Sequence, residues 1–135
     1  MFFILEKYLI ILKKSTTVLL AAIKERLKSA VIENKSFEDI IKQYDRPHTL
    51  FYCDPPYLGA ERYYNHSGVN FDREMHQKLA YTLRNIKGRF IISYNNDEFI
   101  RSLYKGFVIE EISRQNNLSP SKRKNPYREL LIRNY

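Results

Sequence analysis

The hydrophobic pattern of this chain changes period along its length, and that change restricts it to folds in which helices pack on a sheet. Thr16 to Lys28 has helical spacing: Leu19, Leu20, Ile23 and Leu27 share one face, and Lys24, Glu25, Arg26 and Lys28 the other. Ala30 to Glu33 reads as a short strand. Ser36 stands where an N-cap would, with Asp39 in capping-box position, ahead of a helix whose buried face is Phe37, Ile40, Ile41 and Tyr44. Pro47 disfavours a helical residue before it, so that helix ends near Asp45 and Arg46. Thr49 to Cys53 is a continuous β-prone run and predicts a buried parallel strand. After a loop from Leu58 to Asn70, Asp72 caps a helix to about Ile86, with Met75, Leu79, Leu83 and Ile86 inward and Gly88 as its stop. Arg89 to Tyr94 is a second buried strand. Asn95 or Asn96 then caps a short helix carrying Phe99, Ile100, Leu103 and Tyr104, closed by Gly106. Phe107–Ser113 and Arg128–Asn134 are strands with no helix between them, which predicts an antiparallel pair at one edge of the sheet.

A length of 135 residues suits one compact domain, and an apolar share of 44% supplies a core. The formal charge of +8 favours polyanionic partners without separating DNA from RNA or an acidic membrane. Eleven Tyr and eight Phe are compatible with base stacking, although ordinary cores use the same residues. The single cysteine, Cys53, excludes an internal disulfide. His48, His66 and His76 form no pair at metal-ligand spacing, so no metal is expected. Met1 to Leu12 is apolar but interrupted by Glu6 and Lys7. It is too short and too charged to span a bilayer, and no signal-peptide cleavage site follows. It reads as a helix packed on a core, and the expected location is cytoplasmic.

The chemistry is concentrated where the first strong strand ends, in Asp54-Pro55-Pro56-Tyr57. Ligands of open α/β sheets bind outside the carboxyl ends of the strands. Two prolines stiffen the backbone as it leaves the sheet, holding the Asp54 carboxylate and the Pro55 carbonyl on one point. Tyr57 adds a flat aromatic face. The exocyclic amine of adenine is a poor nucleophile because its lone pair is delocalised into the ring. Two acceptors that take hydrogen bonds from its N–H groups pull the nitrogen towards tetrahedral and free the lone pair for a methyl group. Asp54 and the Pro55 carbonyl suit that task, and Tyr57 suits stacking on a base flipped from the duplex. Such a route needs no covalent intermediate, so Cys53 need not be a nucleophile. An Asp-Pro turn is common in itself. Four specified residues directly after an apolar strand are far more informative.

These residues carry a resemblance. Val31-Ile32-Glu33-Asn34, Phe37-Glu38, Tyr44-Asp45-Arg46-Pro47 and Thr49 to Tyr57 resemble the Dam-like class of adenine-specific DNA methyltransferases. The similarity continues through Ile91-Ile92-Ser93-Tyr94-Asn95 and Glu129 to Tyr135, covering roughly Ser15 to Tyr135. It implies a partial Rossmann-like sheet, mostly parallel with an antiparallel edge strand, S-adenosyl-L-methionine as donor and DNA as partner, in the setting of restriction-modification. Asp54, Pro55, Pro56 and Tyr57 match the catalytic motif, and Asp54 also lies against the donor. Glu33, Asn34 and Phe37 match the segment bordering the donor pocket, for which a capped helix start is the alternative. Lys122, Arg123, Lys124 and Arg128 read either as phosphate contacts or as a solvated charged loop. Arg62 and Tyr64 read either as residues closing over the base or touching the backbone, or as part of a mobile loop.

The pattern also departs from that family. None of the four glycines, Gly59, Gly68, Gly88 and Gly106, forms a donor-binding turn of the Phe-x-Gly-x-Gly type, and the target-recognition region is missing. Residues 1–135 are therefore expected to be the C-terminal part of a methyltransferase catalytic domain, working with an upstream-encoded chain that supplies the donor-binding half. The alternative is an inactive nucleic-acid-binding remnant.

Overall fold

The computed structural model describes residues 16–59, 71–114 and 127–135. The expected N-terminal helix in Met1–Leu12, most of the loop after Leu58 and the basic connection of residues 115–126 lie outside the described residues. The chain divides into two compact units, Met1–Lys35 and Ser36–Tyr135.

In the first unit, helix α1 spans Thr16–Leu27. Its expected buried face is open: Leu20, Ile23 and Leu27 are 52%, 40% and 43% exposed. The strand expected at Ala30–Glu33 does not form. A strand needs a ladder partner for its backbone groups, and none pairs with this segment among the described residues.

The second unit runs α2 (Phe37–Tyr44), β1 (Leu50–Cys53), α3 (Arg73–Arg84), β2 (Arg89–Asn95), α4 (Glu98–Leu103), β3 (Val108–Arg114) and β4 (Tyr127–Arg133). Helix α2 begins at the Ser36 N-cap, with Asp39 meeting its hydroxyl rather than its backbone N–H as a full capping box would. The Asp39 N–H donates to Ser36 Oγ at 3.1 Å, and the Ser36 hydroxyl donates to Asp39 Oδ2 at 2.7 Å. Asp72 caps α3 by accepting from the Met75 N–H at 3.1 Å. The cap of α4 is Asp97, not Asn95 or Asn96; its Oδ1 accepts from the Phe99 N–H at 2.8 Å. Asn95 is taken up by β2, where it faces Glu129. Asn96 accepts from Arg101 Nε at 2.8 Å and donates to Glu111 at 3.0 Å.

The fold is mixed α/β around a four-stranded sheet of order β1-β2-β4-β3. Strands β1 and β2 are parallel, while β4 is antiparallel to both β2 and β3. Three strands therefore point one way. The reversed strand is β4, which lies inside the sheet rather than at its edge. The expected antiparallel β3–β4 pair does close one side, with β3 outermost.

Strand alternation sorts the sheet into two faces. Phe51, Phe90, Ile92, Tyr94, Leu130 and Ile132 are buried and pack with Ile41, Leu79, Leu83 and Ile100 of the helices. The opposite face is largely bare: Leu50 is 44% and Tyr52 50% exposed. The expectation that β1 is buried thus holds for one face only, because the helices of this unit cover one face only. The β1–β2 register is anchored from below. The Asp45 carboxylate accepts from the Lys87 and Gly88 N–H groups at 2.9 Å, and Thr49 O accepts from the Arg89 N–H at 2.8 Å. Asn134 clamps the same corner, accepting from the Phe90 N–H at 2.9 Å and donating to Gly88 O at 3.1 Å.

Candidate active site

The parallel register pairs Cys53 with Ile92, so Asp54 leaves β1 beside Ser93. Leu50, Tyr52 and Asp54 alternate onto the bare face, and Ile91, Ser93 and Asn95 do the same on β2. Asp54 is exposed. Its Oδ1 accepts a hydrogen bond from the Ser93 hydroxyl at 2.9 Å. The carboxylate is thus at the carboxyl end of a parallel strand, open to solvent, with one oxygen held.

Pro55, Pro56 and Tyr57 follow, all partly buried. The Tyr57 hydroxyl donates to Glu129 Oε1 at 3.3 Å, and its ring lies 6.4 Å from that of Tyr94 at an interplanar angle of 39°. Asn95 Nδ2 donates to Leu58 O at 3.3 Å, tying the end of the motif to β2. Three side chains from β2 and β4, namely Ser93, Asn95 and Glu129, therefore hold Asp54 and Tyr57, the two ends of the motif, and Leu58 after it. Behind the motif, Tyr94 is fully buried and its hydroxyl lies 2.9 Å from His76 Nδ1. Burial raises the pKa of the Tyr94 and Tyr104 phenols above their usual range, so both stay neutral. Burial likewise pushes the Cys53 thiol up to about 12. A thiol at that value remains protonated at neutral pH and is a weak nucleophile.

The other candidates are placed as follows. Phe37 opens α2 and packs against the core, its ring 6.2 Å from Phe71. Glu33 and Asn34 belong to the first unit, where Glu33 pairs with Lys35 at 2.8 Å. Arg128 sits in β4 at the end of the sheet that carries Asp54, exposed, with its guanidinium 3.3 Å from Glu111. Arg62, Tyr64, Lys122, Arg123 and Lys124 lie outside the described residues. Among the described residues no three His, Cys, Asp or Glu side chains gather as a metal group, and no helix is long and apolar enough to cross a membrane.

Ser93 and Glu129 fall within the segments that resemble the family, where the sequence by itself gives neither a role. A polar residue within an apolar strand was the available signal. Its meaning depends on the register, which brings both residues to the motif.

Stretches of this sequence are similar to known proteins. A Chlorella virus protein, Type II methyltransferase M.CviBI of Paramecium bursaria Chlorella virus NC1A, is 28% identical over 89 residues, 66% of this chain and 34% of its own length. The Retron Ec67 DNA adenine methylase of Escherichia coli is 34% identical over 73 residues, 53% of this chain and 26% of its own. The matched stretches thus span about a third and about a quarter of these relatives. The family model for D12 class N6 adenine-specific DNA methyltransferases matches residues 4–118, most of the chain, and the chain belongs to that family.

Proposed function

We propose that this chain carries the catalytic motif of an enzyme that methylates the N6 amine of an adenine flipped out of DNA. The observation that carries the reading is the Asp54 carboxylate, exposed at the carboxyl end of β1 and braced by Ser93. Asp54 accepts a hydrogen bond from the amine, and the Pro55 carbonyl accepts a second. Tyr57, steadied by Glu129, offers its ring to the base. Held between two acceptors, the amine keeps its lone pair directed away from the ring, which lowers the barrier by positioning and electrostatics.

S-adenosyl-L-methionine is the expected donor and supplies an electrophilic methyl group. The residues present fit one corner of it: an exposed carboxylate is an acceptor suited to its cationic end. Glu33, Asn34 and Phe37 are the proposed remaining donor contacts in this chain. The glycine-bearing turn is assigned to an upstream-encoded partner, so that residues 1–135 form the C-terminal part of one catalytic domain with a Rossmann-like sheet. DNA phosphates are the proposed partners of Arg62, Tyr64, Lys122, Arg123, Lys124 and Arg128, and the proposed location is cytoplasmic.

Transfer of labelled methyl groups to adenine in duplex DNA, by the chain alone and reconstituted with that partner, tests the proposal. Asp54→Ala is expected to lower transfer by about a hundredfold. Full activity in that variant refutes the assigned role. The competing reading is an inactive nucleic-acid-binding remnant, suggested by a sequence in which none of Gly59, Gly68, Gly88 and Gly106 stands in a Phe-x-Gly-x-Gly pattern. Calorimetry with the donor separates the two: no heat of binding, alone or reconstituted, supports the remnant.

A further inference from the structure

We propose that Ser93 is a positioning residue that sets which oxygen of Asp54 meets the substrate amine; the inference rests on the function proposed above. The prolines fix the backbone around Asp54, but they leave its side-chain torsions free. An exposed aspartate at a strand exit has several rotamers open to it. The Ser93 hydroxyl selects one, donating to Oδ1 at 2.9 Å. A carboxylate has about four lone-pair sites. With one site of Oδ1 taken, Oδ2 is the oxygen with both sites open to an incoming N–H.

The neighbourhood explains why a serine belongs here. Ser93 lies on the bare face of β2, between Asp54 on one side and Leu131 on the other. Leu131 has no side-chain acceptor. Phe90, Ile91 and Ile92 fill the preceding positions with apolar groups suited to a sheet. Ser93 is only partly buried, so packing does not demand a hydroxyl there. What the hydroxyl does reach is the one carboxylate that the motif presents.

The test measures binding of the full chain to duplex oligonucleotides with a single unpaired adenine or a single unpaired purine, which lacks the exocyclic amine. Ser93→Ala and Ser93→Thr are compared with the wild type, and thermal melting confirms that each is folded. The expected result is a wild-type preference for adenine that falls about threefold to tenfold in Ser93→Ala. Affinity for the purine duplex stays unchanged, and Ser93→Thr restores the preference. An undiminished preference in Ser93→Ala overturns the role of Ser93 and leaves the adenine reading standing. Equal weakening towards both duplexes also overturns it, because a merely structural contact behaves that way. A wild type that does not distinguish adenine from purine sinks the proposed function, and this inference with it.

Discussion

Replacing Gly88 with alanine tests the corner on which the site is built. A Cβ added at Gly88 meets Thr49 O at 2.7 Å and Arg46 O at 2.8 Å, below the 3.0 Å that real Cβ atoms respect. Both obstacles are backbone atoms, so neither can swing aside as a side chain would. Thr49 O already accepts from the Arg89 N–H at 2.8 Å, and Arg46 O from the Thr49 N–H at 2.9 Å. Gly88 itself is held by Asp45 through its N–H and by Asn134 through its carbonyl. Relief therefore requires moving the start of β2 against β1. Overpacking of this kind costs about 1–3 kcal/mol. The lower unfolded-state entropy of alanine returns about 0.4–1 kcal/mol. At the middle of both ranges the net loss is about 1.3 kcal/mol, which lowers Tm by roughly 5–10 °C for a domain of this size. Circular dichroism melting of Gly88→Ala against wild type measures it. A Tm within about 2 °C of wild type refutes the steric argument.

Three further outcomes follow from the layer behind the motif and the strand that leads into it. Tyr94→Phe removes the hydroxyl that meets His76 Nδ1 at 2.9 Å inside the core, and should cost about 1–2 kcal/mol in urea unfolding, with a loss below about 0.3 kcal/mol counting against that bond. The Cys53 thiol has its pKa raised from 9.0 to about 12, so the unfolded chain releases this proton first. Stability from this group is complete below pH 9 and falls as pH rises towards 12, and the raised phenols of Tyr94 and Tyr104 add to the loss above pH 10. Alkaline denaturation of Cys53→Ala, flatter than wild type across that window, checks the sign. Thiol-reagent labelling of folded wild type at pH 8 should run far slower than in urea.

What the sequence made legible was local. The helices of the second unit, the two capping aspartate and serine positions at Asp72 and Ser36, and the exit of β1 into Asp54 follow from spacing and side-chain chemistry alone. The misplaced cap of α4 has a long-range cause. Asn95 stays in β2 because Glu129 is there to pair with it, and no local propensity records that partner. The Ala30–Glu33 segment shows the converse, a β-prone sequence without a ladder to join. The hydrophobic residues of α1 carry the right period, yet periodicity says nothing of what covers them. At the site, the four motif residues were visible as a string. Their braces were not, since Ser93, Asn95 and Glu129 reach the motif only through strand order and register. Asp45 is a similar case: it read as the end of a helix and proves to hold the turn into β2.

The order of the strands in space differs from their order in synthesis. Strand β4 follows β3 in the chain, yet it sits between β2 and β3. Until residue 133 has emerged, β2 lacks its neighbour on one flank and β3 has nothing to join, so Ile92 and Tyr94 stay unsealed on that side. Closure of the sheet therefore joins distant parts of the chain, and such contacts form slowly. A ribosome stalled before residue 127 has emerged would hold a half-made sheet with its interior strand missing.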